Sequence, residues 1–198
     1  MDLKTVKVGI LQTNCYILIQ NQKAIIIDPG AKAERILSAL GENTELVAIL
    51  LTHAHFDHIG AINDLLAIHP CPIYLHEDDH ALMRDPQLNY SFPKRFIVDQ
   101  ETRPYPSKLV LGDFVFEIIE TPGHTDGSVC LIINNWMFSG DTLFMQSVGR
   151  TDLRTGNPTK MKQSLRKLKA LNQDYLVYPG HDDPTSLKEE KLHNIYLK

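Results

Sequence analysis

No Cys-x-x-Cys pair occurs in this sequence, and only three cysteines are present, Cys15, Cys71 and Cys130. An odd count without paired spacing argues against a disulfide framework. All three sit in or beside apolar strands, so they are expected to be buried free thiols in a reducing cytoplasm. Long apolar runs are missing too. None approaches the roughly 20 residues that span a membrane. The opening Met1-Asp2-Leu3-Lys4-Thr5 has no apolar core of a secretory signal. A cytoplasmic protein with no membrane partner is expected. Nor is there a basic excess. The net charge is −4 and the pI about 6.1, which is not the footprint of a nucleic-acid binder. The basic residues of 160–169 read as the solvated face of a helix. Repeats, low-complexity segments and an interior boundary are absent, so one domain over 1–198 is expected. Nothing points to an oligomeric state.

Hydrophobic residues make up 43% of the chain and charged ones 22%, ordinary for a globular domain with a sizeable core. Val6, Val8 and Ile10 alternate as in a strand. Cys15 to Gln20 and Lys23 to Asp28 are two more apolar runs, joined at Asn21-Gln22 as a tight hairpin. Ala33 to Leu40 reads as a helix closed by Gly41. The run Leu46 to Leu51 reads as a buried strand, and Ile59 to Ile68 as a helix. Ile73 to Leu75, Phe114 to Glu120, Val129 to Ile133, Trp136 to Phe138 and Tyr175 to Tyr178 complete the strands. Amphipathic helices are expected over Thr159 to Leu171 and Ser186 to Tyr196. From Asp85 to Pro106, four prolines and four aromatics leave little regular structure. That stretch is either a linker packed on the core or the wall of a substrate pocket.

His53, His55, Asp57 and His58 fall within six positions, directly after the run Leu46 to Leu51. Neutral imidazole and carboxylate form a donor set that suits zinc, iron or manganese. On an extended segment His53, His55 and Asp57 point one way, and His58 at the start of a helix can turn back to them. The same arrangement recurs. An apolar strand ends, and His124, Asp141 or His181 follows. In layered α/β domains sites collect where strand ends meet loops, so these seven side chains are expected to converge. His69, His76, His80 and His193 lie outside these motifs and read as structural or exposed.

The series Thr52-His53-Ala54-His55-Phe56-Asp57-His58, Thr121-Pro122-Gly123-His124-Thr125, Ser139-Gly140-Asp141-Thr142-Leu143-Phe144 and Tyr178-Pro179-Gly180-His181 resembles the metallo-β-lactamase superfamily. Within it, the likeness is to small glyoxalase II-like (hydroxyacylglutathione hydrolase-like) hydrolases. The resemblance implies a four-layer αβ/βα sandwich with a dinuclear metal site at one edge. It implies that His53, His55 and His124 hold one metal, that Asp57, His58 and His181 hold the other, and that Asp141 bridges them. Two divalent ions, zinc first and iron or manganese as alternatives, are the expected cofactor. Asp57, Asp141 and one bridging hydroxide return less charge than two such ions bring, so the site remains a Lewis acid. Paired metals lower the pKa of water, and the expected reaction is attack of that hydroxide on an acyl carbonyl. No Gly-x-Ser-x-Gly nucleophile elbow is present, and none is needed. A small acyl thioester such as hydroxyacylglutathione is the apt substrate, because its thiolate leaves without prior protonation. Asp57 is a candidate proton relay.

Asp28 either orients a ligand histidine or caps the turn at Pro29-Gly30, and Thr52 is a further candidate to hold a ligand. Arg150 either binds a substrate carboxylate or pairs with Asp152. The resemblance thins after Asp141. Longer glyoxalase II enzymes have a lysine and an aromatic for glutathione where this chain has Gln146-Ser147-Val148-Gly149-Arg150-Thr151-Asp152. Their glutathione-gripping C-terminal helical region is expected to be missing. A persulfide dioxygenase using one iron held by two His and one Asp is the alternative, since those enzymes also carry Gly-Arg-Thr-Asp in this place. A metal-binding protein without catalysis is disfavoured by the complete ligand set. β-Lactam hydrolysis is not expected of a cytoplasmic chain, and flavodiiron-type electron transfer is disfavoured because His55 stands where those proteins use Glu.

Overall fold

The alternation at Val6 and Val8 forms a strand that stops before Ile10. β1 (Asp2–Val8) buries Val6 and Val8, whereas Ile10 lies in the turn to β2 (Thr13–Gln20) and is 83% exposed. The next turn is the one expected. Gln20 pairs with Lys23 of β3 (Lys23–Ile27), and Asn21 and Gln22 have φ of 52° and 58°. Two positive φ values define a type I′ turn, whose twist matches the flanking strands. The computed structural model describes residues 1–198. The chain forms two compact units, Met1–Pro104 and Tyr105–Lys198.

In the first unit, α1 (Ala33–Leu40) buries Ile36 and Leu40 and ends at Gly41. β4 (Glu45–Leu50) runs parallel to β3. The single helix expected over Ile59 to Ile68 is instead two, α2 (Phe56–Ile59) and α3 (Ile62–Ile68). The break has a packing cause. Gly60 approaches the backbone of Gly30 so closely that a Cβ would stand 2.4 Å from the Gly30 carbonyl oxygen. The Ala61 N–H donates to the Pro29 carbonyl at 2.9 Å. The helix is interrupted so that its backbone can bind the turn after β3. β5 (Ile73–Tyr74), α4 (His80–Arg84) and β6 (Thr102–Arg103) complete the unit. Its mixed sheet has the order β1-β2-β3-β4-β5-β6. Ile17, Ile26 and Ile49 pack with Ile36 and Leu40 of α1 and Ile62 and Leu65 of α3. Each such buried side chain contributes about 1.5–3 kcal/mol. Between Asp85 and Pro106, where the prolines imply little regular structure, the two-residue β6 is the one helix or strand that forms.

The second unit starts with β7 (Lys108–Leu111), a strand the sequence reading lacks, paired with β8 (Phe114–Glu120). β9 (Val129–Ile133) and β10 (Trp136–Gly140) follow as a hairpin, and β11 (Leu143–Phe144) and β12 (Ser147–Val148) make a small ribbon. α5 (Pro158–Ala170) is capped by Asn157, whose side chain accepts from the N–H groups of Thr159 and Lys160. β13 (Leu176–Pro179), β14 (Thr185–Ser186) and α6 (Leu187–His193) close the chain. The expected last helix stops at His193, because Asn194 caps a separate 3-10 turn at Ile195–Leu197. The sheet order is β14-β13-β10-β9-β8-β7, with β10 and β13 parallel. Met161, Leu165 and Leu168 of α5 cluster with Ile132, Met137 and Val177 of the sheet.

Candidate metal centre

In the first unit β4 ends at Leu50, and the backbone is handed to Asp28 at the end of β3. Asp28 is buried and at φ 52°. Its Oδ1 accepts from the Thr52 N–H at 2.8 Å and its Oδ2 from the Thr52 hydroxyl at 2.6 Å. Its Oδ2 also lies 3.0 Å from Nδ1 of His58. The carboxylate therefore serves Thr52 and His58. Because the Thr52 hydroxyl gives its proton to Asp28, its oxygen accepts from Nδ1–H of His53, 3.1 Å away. Both histidines thus carry the proton on Nδ1 and present the Nε2 lone pair, the tautomer a metal ligand requires.

The extended alternation holds for His53 and His55, but Asp57 lies in the first turn of α2, whose N-cap is His55. The four side chains still meet. Ring centroids lie 4.8 Å apart for His53 and His55 and 4.0 Å for His53 and His58. Asp57 Oδ2 is 3.6 Å from Nε2 of His58 and accepts from the Thr13 hydroxyl at 2.9 Å. Between the first two histidines, the Ala54 N–H donates to buried Asp79 at 3.0 Å. The Tyr90 ring meets that of His55 edge-on, centroids 5.6 Å apart.

In the second unit His124, Asp141 and His181 follow β8, β10 and β13. The carboxylate stands between the two rings. Its Oδ2 is 3.4 Å from Nε2 of His124 and 3.5 Å from Nε2 of His181. Nδ1 of His124 donates to the Arg150 carbonyl at 2.9 Å, which again leaves the lone pair on Nε2. Gly149 makes this possible. A Cβ on it would fall 1.7 Å from the Asp141 carbonyl oxygen and 3.2 Å from Nδ1 of His124. Only a residue without a side chain lets the 149–150 backbone lie against both ligand candidates.

Each unit therefore gathers imidazole nitrogens with carboxylate oxygens, and neither cluster contains a thiolate. That donor chemistry fits borderline divalent ions such as zinc, iron and manganese. The profile of the metallo-beta-lactamase superfamily matches residues 8–181, a span that holds all seven candidates. The chain belongs to this superfamily. Its fold is the metallo-β-lactamase fold, and superfamily members bind divalent metal ions. A probable metallo-hydrolase of Bacillus subtilis, YqgX, is 36% identical over all of this chain and 98% of its own length. The hydroxyacylglutathione hydrolase GloC of Haemophilus influenzae is 34% identical, again over 100% of this chain and 98% of its own. Among solved structures, the BLEG-1 B3 metallo-beta-lactamase superimposes with a TM-score of 0.92 at 38% identity, covering 99% of both chains. TTHA1623, solved in a di-iron-bound form, gives 0.88 at 34% identity over 98% of this chain and 100% of its own. ETHE1 from Myxococcus xanthus gives 0.81 at 28% identity, over 98% and 84%.

The structure also places the other side chains singled out in the sequence. Arg150 forms a two-pronged pair with Asp152, 2.7 and 2.8 Å, with both side chains about two-thirds exposed. The guanidinium holds the Asp152 carboxyl down at about 2. The Arg150 contact to the candidate site runs through its backbone carbonyl. All three cysteines are free, Cys15 and Cys130 buried and Cys71 partly so. Burial pushes the Cys130 thiol up to about 12 and the Cys71 thiol to about 11. His76 caps a 3-10 turn and His80 contacts the Thr102 hydroxyl at 2.7 Å. No helix is long and apolar enough to cross a membrane. Sequence reasoning passed over Thr13, Asp79 and Gly149. Thr13 lies 44 residues from its partner and Asp79 25 from its own, separations at which no local pattern signals a contact. Gly149 had a faint signal, as a glycine between a possible bridging ligand and a candidate substrate residue.

Proposed function

We propose that this protein is a metal-dependent hydrolase that cleaves small acyl thioesters of the hydroxyacylglutathione kind. In this reading His53, His55 and His124 would hold one divalent cation, Asp57, His58 and His181 would hold a second, and Asp141 would serve both. The observation that carries it is the fixed tautomer of His53, His58 and His124, each held at Nδ1 by an acceptor so that Nε2 is left to bind. The likeness to the hydroxyacylglutathione hydrolase GloC over the whole chain supports the thioester, and the likeness to YqgX supports hydrolysis.

When bound, paired divalent cations supply Lewis acidity and lower the pKa of water into the neutral range. The protein's own contribution is positioning. Asp28 holds His58 directly and His53 through Thr52, so both rings keep their orientation without reorganisation. The Thr13 hydroxyl holds Asp57. Asp57 is assigned the proton relay. In the reaction water adds its oxygen to the acyl carbon, the C–S bond breaks, and the electron pair leaves on sulfur as a thiolate. Of the two protons of water, one passes by way of Asp57 to the thiolate and the other is released to solvent, so the products are a carboxylate and a thiol.

A substrate panel tests the reading. Lactoylglutathione, a lactone, a β-lactam and glutathione persulfide are offered to protein of known metal content. Thioester hydrolysis with the highest kcat/KM is the expected result. The β-lactam belongs in the panel because of the similarity to a B3 metallo-beta-lactamase. Oxygen consumption on the persulfide, with one iron per chain and no thioester cleavage, would instead establish the dioxygenase alternative.

A further inference from the structure

Within the first unit, a cavity of about 270 Å³ opens beside Asp57. Phe56, Tyr90, Phe92 and Phe96 line it together with Ile10 and Leu11 of the β1–β2 turn. Asp57 and Lys94 are the charged residues in its lining. Single exposed apolar side chains are ordinary on a surface, whereas contiguous ones mark binding sites. Here they are gathered at one cavity. Ile10 is 83% exposed, Phe92 61% and Leu11 49%. Tyr90 and Phe96 are each about one-third exposed.

The aromatic wall is built rather than loose. Buried Asn89 donates to the Phe96 carbonyl at 2.9 Å and accepts from the Ser91 N–H at 2.9 Å. Ser91 Oγ accepts from the Phe96 N–H at 2.9 Å. The Asn89 carbonyl accepts from the Phe56 N–H at 3.0 Å, which ties the wall to the turn bearing Asp57. Phe56 and Phe96 stack with centroids 6.3 Å apart and planes within 8°. Asn63 donates to the Ile97 carbonyl at 2.7 Å, so α3 anchors the far end. A preorganised wall costs a ligand little ordering entropy. The exposed rings are thus held where a ligand meets them, and Asp57, a candidate ligand of the metal centre, lines the same cavity.

We propose that this cavity is an acyl subsite that accommodates an apolar group of about ring size, such as an aryl or branched acyl group, and so favours such acyl groups over acetyl. The assignment rests on the hydrolase reading above. It places the reacting carbonyl beside Asp57 and the apolar group against the aromatic wall and Ile10-Leu11. Phe92 is the principal selecting residue, because its ring is the most exposed of the wall.

The test uses two readouts on metal-loaded protein. The first is binding of neutral phenylacetamide, followed by NMR titration in wild type and Phe92→Ser. Saturable binding that weakens at least tenfold in Phe92→Ser is expected. No binding to wild type, or binding undiminished in the variant, overturns the subsite. The second is kcat/KM for the phenylacetyl and acetyl thioesters of N-acetylcysteamine. Wild type should favour phenylacetyl at least tenfold, and the ratio should fall toward one in Phe92→Ser. A wild-type ratio near one also overturns the subsite. If neither thioester is cleaved but phenylacetamide binds and Phe92→Ser weakens it, the thioesterase reading fails and the subsite stands.

Discussion

Asp28 Oδ2 lies 3.0 Å from Nδ1 of His58, across 30 residues of sequence, and the same oxygen accepts from the Thr52 hydroxyl. One carboxylate therefore sets the orientation of two ligand candidates, His58 directly and His53 by way of Thr52. Asp28→Asn places an amide against Nδ1–H of His58 or against Thr52, and one of those bonds is lost. Metal affinity should fall about 10–100-fold, the usual cost of removing such a supporting partner. Competition with a chromophoric chelator measures it. Undiminished affinity would make Asp28 a turn residue only.

Thr13 holds Asp57 through a hydroxyl bond of 2.9 Å. Thr13→Val keeps the shape and removes the donor. A hydrogen bond to a charged group contributes about 1.5–3 kcal/mol. kcat/KM should drop about 10–100-fold with little change in melting temperature. An unchanged rate would mean that the hydroxyl is not needed to position the carboxylate.

Gly149 tolerates no side chain, because a Cβ would stand 1.7 Å from the Asp141 carbonyl oxygen. Gly149→Ala must displace the 149–150 backbone and with it the carbonyl that holds His124. Destabilisation by about 2 kcal/mol or more is expected, in the range of mutations that force a packed backbone to move. Thermal or denaturant unfolding checks it. A wild-type melting temperature with wild-type metal content would contradict the close packing.

The buried thiol of Cys130, pushed up to about 12, gives a pH prediction. An unfolded cysteine ionises near 8.5. Between these values the unfolded state loses a proton that the folded state keeps, so stability falls as pH rises. The contribution is fully present below about pH 8.5 and disappears as pH climbs toward 12. Cys130→Ala should flatten the alkaline arm of the stability curve relative to wild type. In the native protein at pH 8 a thiol reagent should reach neither Cys15 nor Cys130, and after unfolding all three cysteines should react.

The strand pattern, the bounds of α1 and the six-residue histidine motif were legible because they depend on local spacing. So was the scarcity of regular structure from Asp85 to Pro106, since proline acts on its own backbone. Other features were set by distant partners. The break at Gly60 exists because the turn at Pro29-Gly30 packs there, and a helical pattern in Ile59 to Ile68 does not reveal it. The carboxylate of Asp28 reads equally well as a turn cap until Thr52 and His58 are seen to face it. Arg150 read as either a substrate-binding cation or a partner of Asp152, and the structure shows its guanidinium on Asp152 and, beyond local pattern, its carbonyl on His124.

Metal stoichiometry tests the central claim most directly. Purified protein loaded with excess zinc, iron or manganese, desalted and analysed by inductively coupled plasma mass spectrometry should hold two ions per chain. His58→Ala and His181→Ala should each hold one, remain folded by circular dichroism, and lose thioester cleavage. A single ion in wild type, or two ions and full activity in either variant, would contradict the two-metal hydrolase.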